Sequence, residues 1–294
     1  MTNLLLYIVT VFFWGTSWLA IKYQLGVVAP EISVVYRFAL AALIMVVFCI
    51  ATRRPMRFTV REHAFMAFQG AFLFCTNYVL IYMGSQHLTS GLVALAFSSV
   101  TIMVIIVGAL LFGFPIRPRI VFGALVGMAG ISLVFWPEIR AFDLSQAGTL
   151  GLVLSLAGTF SATLGMLTSA RNQRAGIPVL QNNAYSMAYG FAFITLFSVV
   201  RGLPFQFDMS IEYVSSLIYL SVFATVIAFW SYITLIGRIG ADRASYSAVL
   251  FPIVALTLST VFEGFVWTGI ALAGVALVLG GNVLVLAKTT KNKA

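Results

Sequence analysis

Residues 30–61 read PEISVVYRFALAALIMVVFCIATRRPMRFTVR, and this stretch decides the fold. From Pro30 to Ala51 the only charges are Glu31 and Arg37. As a helix, that segment reaches about 33 Å, the thickness of a bilayer's hydrocarbon core. Arg53, Arg54, Arg57 and Arg61 follow at once, the mark of a span that ends on the cytoplasmic side.

Outward from this stretch the same alternation recurs. Apolar segments run from about Asn3 to Ile21, Pro30 to Ala51, His63 to Gly84, Ser90 to Phe112 and Arg119 to Trp136. A second set runs from about Ala147 to Ala170, Val179 to Val200, Glu212 to Ile236, Ala244 to Phe262 and Phe265 to Ala287. Turn chemistry separates them, as in Arg53-Arg54-Pro55, Trp136-Pro137, Gly176-Ile177-Pro178 and Gly202-Leu203-Pro204. Composition agrees. Of 294 residues 61% are hydrophobic and 9% charged, with a mean hydropathy of +1.04, against about 45–50% and about 25% in soluble domains. Ten spans of about 20 residues leave no room for a separate soluble domain. A soluble enzyme, a nucleic-acid binder and a secreted disulfide scaffold are all excluded. Cys49 and Cys75 lie in apolar runs with no CxxC or histidine neighbour and read as small buried residues. The first basic residue is Lys22, so the first segment reads as a retained helix and not as a cleaved signal peptide.

The basic residues set the orientation. With the N-terminus in the cytoplasm, the inner loops and tail hold Arg53, Arg54, Arg57, Arg61, Arg117, Arg119, Arg171, Arg174, Arg238, Arg243, Lys288, Lys291 and Lys293. The outer loops hold Lys22, Arg140 and Arg201. This bias predicts an inner (plasma) membrane protein with both termini cytoplasmic. A shift of about 150 positions lays Pro178 near Pro30, Ile270 on Ile120 and Gly280 on Gly130. Loops rich in arginine in one half correspond to loops poor in it in the other. A five-span unit copied in tandem must insert upside down, and the charges agree. The expected architecture is an all-α membrane protein of ten transmembrane helices in two inverted five-helix repeats, 1–137 and 147–287, with a basic cytoplasmic tail at 288–294.

Phe13-Trp14-Gly15-Thr16-Ser17, Tyr36-Arg37-Phe38-Ala39-Leu40, Gly123, Gly130, Pro252 and Glu263-Gly264 stand in order within this frame. In them the chain resembles the drug/metabolite transporter superfamily, in its ten-helix EamA-type branch, and within it the aromatic amino acid exporters. The resemblance implies export of metabolites through a central cavity between the halves. The second half departs from the pattern. Residues 161–165 read Ser-Ala-Thr-Leu-Gly where the tryptophan motif would repeat, and Tyr185 stands where an arginine would answer Arg37.

Ionisable groups inside a membrane come first among candidate site residues. Arg37 lies about 10 Å along its helix. It reads either as a structural charge, snorkelling or paired with Glu31, Glu212 or Glu263, or as an anchor for a substrate carboxylate. Glu263, at the end of the ninth span, reads as a helix-end partner. No Asp or Glu lies near the middle of a span, which argues against cationic drugs and proton antiport. A single deep arginine disfavours phosphorylated sugars. The substrate-binding candidates are polar and aromatic residues at helical spacing: Trp14 with Trp18, Asn77 with Tyr78 and Tyr82, Ser98 with Thr101, Trp230, and Ser245 with Tyr246. Each has a plainer reading as a backbone-bonding, interfacial or packing residue. The Tyr78–Tyr82 face is the foremost candidate, since stacked aromatics suit flat apolar groups. Pro252 is a candidate hinge, with a static packing kink as the alternative.

His63 and His87 are too far apart for HExxH, and no GxSxG or Walker A motif occurs, so no enzyme, metal or cofactor is expected. The expected function is alternating-access transport of a small amphipathic metabolite, an aromatic or hydrophobic amino acid above all. A non-saturating pore, or a carrier of drugs or nucleosides, is the alternative. The expected partners are that solute and the lipid bilayer, with no nucleic acid, in a monomer or dimer.

Overall fold

The computed structural model describes residues 1–24, 26–88, 90–143, 146–262 and 267–286, and all regular structure among them is helical. The long helices are α1 (Asn3–Lys22), α2 (Pro30–Ala51), α3 (Val60–Ser85), α4 (Ser90–Ser98 continuing as Val100–Phe112) and α5 (Pro118–Val134). They continue as α6 (Gln146–Arg174), α7 (Val179–Val200), α8 (Ile211–Ile239), α9 (Ser247–Phe262) and α10 (Gly269–Leu286). Among the described residues eight helices are long and apolar enough to cross a membrane; α5 and α9 are shorter. Large apolar side chains such as Leu43, Leu110, Val200 and Val283 are exposed on the outer surface, an arrangement that suits lipid and not water. The protein is a multi-pass membrane protein.

Local chemistry explains the boundaries. Pro30 and Pro118 open α2 and α5, where their missing N–H costs nothing. Thr59 and Glu62 close a reciprocal capping box at the start of α3. Glycines with positive φ at 113, 176 and 202 end α4, α6 and α7. Two expected segments are divided. Pro137 stands inside a separate short helix, Trp136–Arg140, and Ala241–Ala244 forms a turn of its own before α9.

The packing follows a rule. α1 packs on α8 and α9, while α6 packs on α3 and α4; α2 pairs with α7, and α5 with α10. Advancing every helix by five reproduces the scheme. The α5–α10 pair is antiparallel: Gly123 meets Gly281 and Val285, whereas Gly130 meets Gly274 and Val278. A methyl on Gly130 would stand 2.6 Å from the Gly274 carbonyl oxygen, so the small-residue stripe is what lets these backbones touch. α2 and α7 are antiparallel too. Tyr185 donates to the Met56 carbonyl (2.7 Å) beyond the end of α2, and Tyr36 donates to the Gln206 carbonyl (3.0 Å) beyond the end of α7.

α3 and α8 each contain a π-helical stretch, Gly70–Thr76 and Val222–Ile227. The slip in register that makes a π turn leaves carbonyls looking for donors, and buried carbonyls need one. In α8, Thr225 Oγ1 donates to the Leu220 carbonyl (2.8 Å) and Trp14 Nε1 of α1 donates to the Ala224 carbonyl (3.1 Å). In α3, Ser161 Oγ of α6 donates to the Phe72 carbonyl (2.8 Å). The Phe72 carbonyl also accepts from the Asn77 N–H, so Ser161 adds a second donor there.

Candidate functional site

Arg37 is the most informative buried side chain, only 5% exposed. Its Nε donates to Thr225 Oγ1 at 2.7 Å, so the π stretch of α8 supplies the acceptor that orients it. Its guanidinium carbon lies 5.6 Å from the centroid of the Tyr78 ring on α3. Neither Glu31 nor Glu212 pairs with it, and no carboxylate among the described residues does. Glu263 lies outside the described residues. A guanidinium carries five N–H donors in a planar fork, and here one has an acceptor. A buried cation with an open fork can take a carboxylate in a two-pronged bond.

Rings extend from this arginine across the centre of the bundle. Tyr78 meets Phe38 edge-on (5.0 Å), Phe38 meets Phe74 (5.4 Å), and Phe74 meets Phe229 (4.9 Å). Phe229 meets Trp14 (5.0 Å), which meets Tyr232 (4.9 Å). The chain draws on α1, α2, α3 and α8, with three contacts edge-to-face and two, Phe38–Phe74 and Trp14–Tyr232, tilted. Tyr82 and Trp230, both half-buried, pack against the same apolar cluster.

The other expected site residues go elsewhere. Asn77 is buried beside the π stretch of α3, with Nδ2 near the Leu73 carbonyl (3.5 Å) and Oδ1 unpartnered. Ser98 bonds the Ala94 carbonyl of its own helix (2.9 Å). Thr101 donates to the Ser245 carbonyl (3.2 Å), tying α4 to the link before α9, and Ser245 Oγ donates to the Asp242 carbonyl (3.1 Å). Tyr246 lies against Gly127 and Gly281 and donates to the Val278 carbonyl (3.0 Å), a wedge at the α5–α10 crossing. Pro252 is buried inside α9, which continues on both sides of it. The side chain of Trp18 lies outside the described residues.

Two cavities open at opposite ends of α4. One, of 710 Å³, lies between the ends of α4, α6 and α8 and is lined by Arg117, Arg174, Arg238 and Arg243, with Asp242. The other, of 520 Å³, holds His87, Glu138 and Asp143. One mouth is thus lined by four arginines and one carboxylate, the other by two carboxylates and a histidine.

Three groups were not legible in the residue pattern. Thr225 reads as an ordinary span threonine until the π register aims it at Arg37. A buried amide network joins α3, α6 and α7: Asn182 Nδ2 donates to Gln69 Oε1 (2.9 Å), and Asn172 Nδ2 to Asn182 Oδ1 (3.0 Å). Its counterpart joins α1, α2 and α8, where Gln24 Nε2 bonds Ser216 (2.7 Å) and the Tyr213 carbonyl (3.0 Å), and Ser33 bonds the Tyr213 hydroxyl (3.0 Å). The run Gln181-Asn182-Asn183 inside an apolar helix was the one available signal for the first network.

Comparison with known proteins places these features in a wider group. The EamA-like transporter family matches residues 1–136 and again 149–287. An "uncharacterized transporter" of Buchnera aphidicola is 25% identical over 266 residues, 90% of this chain and 84% of that one. A "probable amino-acid metabolite efflux pump" of Salmonella typhimurium is 24% identical over 285 residues, 91% of this chain and 89% of that one. A solved crystal structure aligns with a TM-score of 0.81 at 18% identity, covering 97% of this chain and 96% of its own. That last likeness is one of fold alone.

Proposed function

Because this chain belongs to the EamA-like transporter family, we propose that it is a ten-span carrier of aromatic or hydrophobic amino acids, and that Arg37 receives the substrate carboxylate. The observation that carries the reading is Arg37 itself: a buried guanidinium held by Thr225, facing the Tyr78 ring, with no carboxylate partner among the described residues. Burial of an uncompensated charge is costly, and an anion delivered with the substrate offsets that cost. The adjoining rings supply a surface for an apolar or aromatic side chain. The name of the Salmonella relative agrees in substrate class.

The same reading makes residues 1–137 and 147–287 inverted repeats and 288–294 a basic tail. Antiparallel pairing of α2 with α7 and of α5 with α10, a packing scheme that repeats at an interval of five helices, and π stretches in α3 and α8 all support it. Such repeats can exchange conformations and open one central site to each side in turn. The arginine-rich loops favour cytoplasmic termini in the inner membrane, and hence a basic inner mouth.

Arg37→Gln keeps the hydrogen-bonding reach and removes the charge. In proteoliposomes it is expected to raise the KM for an aromatic amino acid by at least about tenfold, while Arg37→Lys recovers part of the loss. An unchanged KM in a well-folded R37Q protein would overturn the assignment.

A further inference from the structure

In the reading above, the 710 Å³ cavity between the ends of α4, α6 and α8 serves only as the basic inner mouth. Its four arginines come from four separate segments: Arg117 before α5, Arg174 at the end of α6, Arg238 near the end of α8, and Arg243 after the turn at Gly240. Asp242, the one acidic residue lining it, lies 3.5 Å from Arg117 and balances a single charge. Uncharged groups hold the others in place. Arg174 stands 3.9 Å above the Phe114 ring, and Arg238 donates to the Met1 carbonyl at 2.8 Å. The Nε of Arg243 and the hydroxyl of Thr234, also lining the cavity, are buried without hydrogen-bond partners.

Arginines that only set orientation can splay into water or snorkel to the interface. These four line one concavity, Arg174 and Arg238 from exposed positions and Arg117 and Arg243 from partly buried ones. Like charges gathered in one concavity repel one another, and a multiply charged oxyanion removes that repulsion. The guanidinium fork matches phosphate in a two-pronged geometry. The volume exceeds that of phosphate alone and suits phosphate on a small organic body. We propose that this cavity is a phosphate-binding site for a ligand of lipid-headgroup size, and that the ligand joins the linker before α5 to the ends of α6 and α8. The phosphate can come from an anionic lipid or from a soluble phosphate ester; the recognition chemistry is the same.

The test uses full-length protein in phosphatidylcholine nanodiscs, with thermal unfolding followed at matched ionic strength. One arm adds phosphatidylglycerol to the disc, and the other adds glycerol phosphate to the solution. A rise in Tm in either arm is expected, because a ligand that binds only the folded state stabilises it. A rise with the lipid alone identifies the headgroup as the source, and a rise with the soluble ester identifies free phosphate. The double variant R174Q/R243Q should weaken the response at least about tenfold in apparent affinity. R174K/R243K, which keeps the charge and loses the forks, should fall between. R57Q, in a loop outside the cavity, should respond as the native protein does. No rise in either arm, or an undiminished response in R174Q/R243Q, overturns the proposal. The native arms decide alone if the glutamine variant fails to fold.

Discussion

Arg37 and Tyr246 are both buried and both bear polar tips, yet they serve opposite ends. Tyr246 satisfies its hydroxyl on the Val278 carbonyl and fills the space that Gly127 and Gly281 leave; nothing in it is left for a solute. Arg37 has an acceptor for Nε and an open fork beyond it. Tyr78 lies on the face of that fork. Substitution should separate the two roles. Tyr246→Phe loses one buried hydrogen bond, worth about 1 kcal/mol, so Tm should fall by a few degrees with the KM for substrate unchanged. Tyr78→Ala should leave Tm less affected than transport and raise the KM at least about tenfold. The reverse pattern, read by thermal unfolding and liposome uptake together, would move Tyr78 into the scaffold. The sequence could single out both tyrosines by type and spacing. It could not say which one had its hydroxyl already spent, because that depends on a helix thirty residues away in the chain.

At the scale of the element, the π stretches connect local structure to the site. A helix of regular register would turn Thr225 away from Arg37; the slip at Val222–Ile227 brings it round. Neighbouring helices donate to both stretches, Trp14 of α1 to the Ala224 carbonyl and Ser161 of α6 to the Phe72 carbonyl, which also accepts from the Asn77 N–H. Residues 161–165 therefore supply a hydroxyl donor and no indole. Ser161→Ala should remove one of the two donors to the Phe72 carbonyl and destabilise the protein by about 1 kcal/mol, measured as a fall in Tm. An unaltered Tm would mean that the Asn77 N–H alone satisfies the Phe72 carbonyl. Helix existence was legible throughout, since long apolar runs bounded by Pro, Gly and arginine admit little else. The π register was not, because it is fixed by a hydroxyl or indole on another helix and leaves no periodicity of its own. For the same reason the aromatic chain was half legible. Trp14 and Tyr78 stood out as amphipathic residues in a span, whereas Phe38, Phe74 and Phe229 look like any other apolar residue until packing brings their edges together.

For the whole molecule, the scarcity of charge organises the function. The few charges line one end of α4 with four arginines and the other with two carboxylates, and leave Arg37 buried among α2, α3 and α8. Among the described residues no cluster of His, Cys, Asp or Glu offers a metal site. Inverted repeats of the kind proposed imply a carrier that moves its substrate by turns, in contrast to a continuous pore. The property that separates the two is trans-stimulation. Purified protein in liposomes loaded with unlabelled tryptophan should take up external labelled tryptophan in a saturable counterflow that empty liposomes do not support. Flux that rises in proportion to concentration, indifferent to what the liposome contains, would contradict the account.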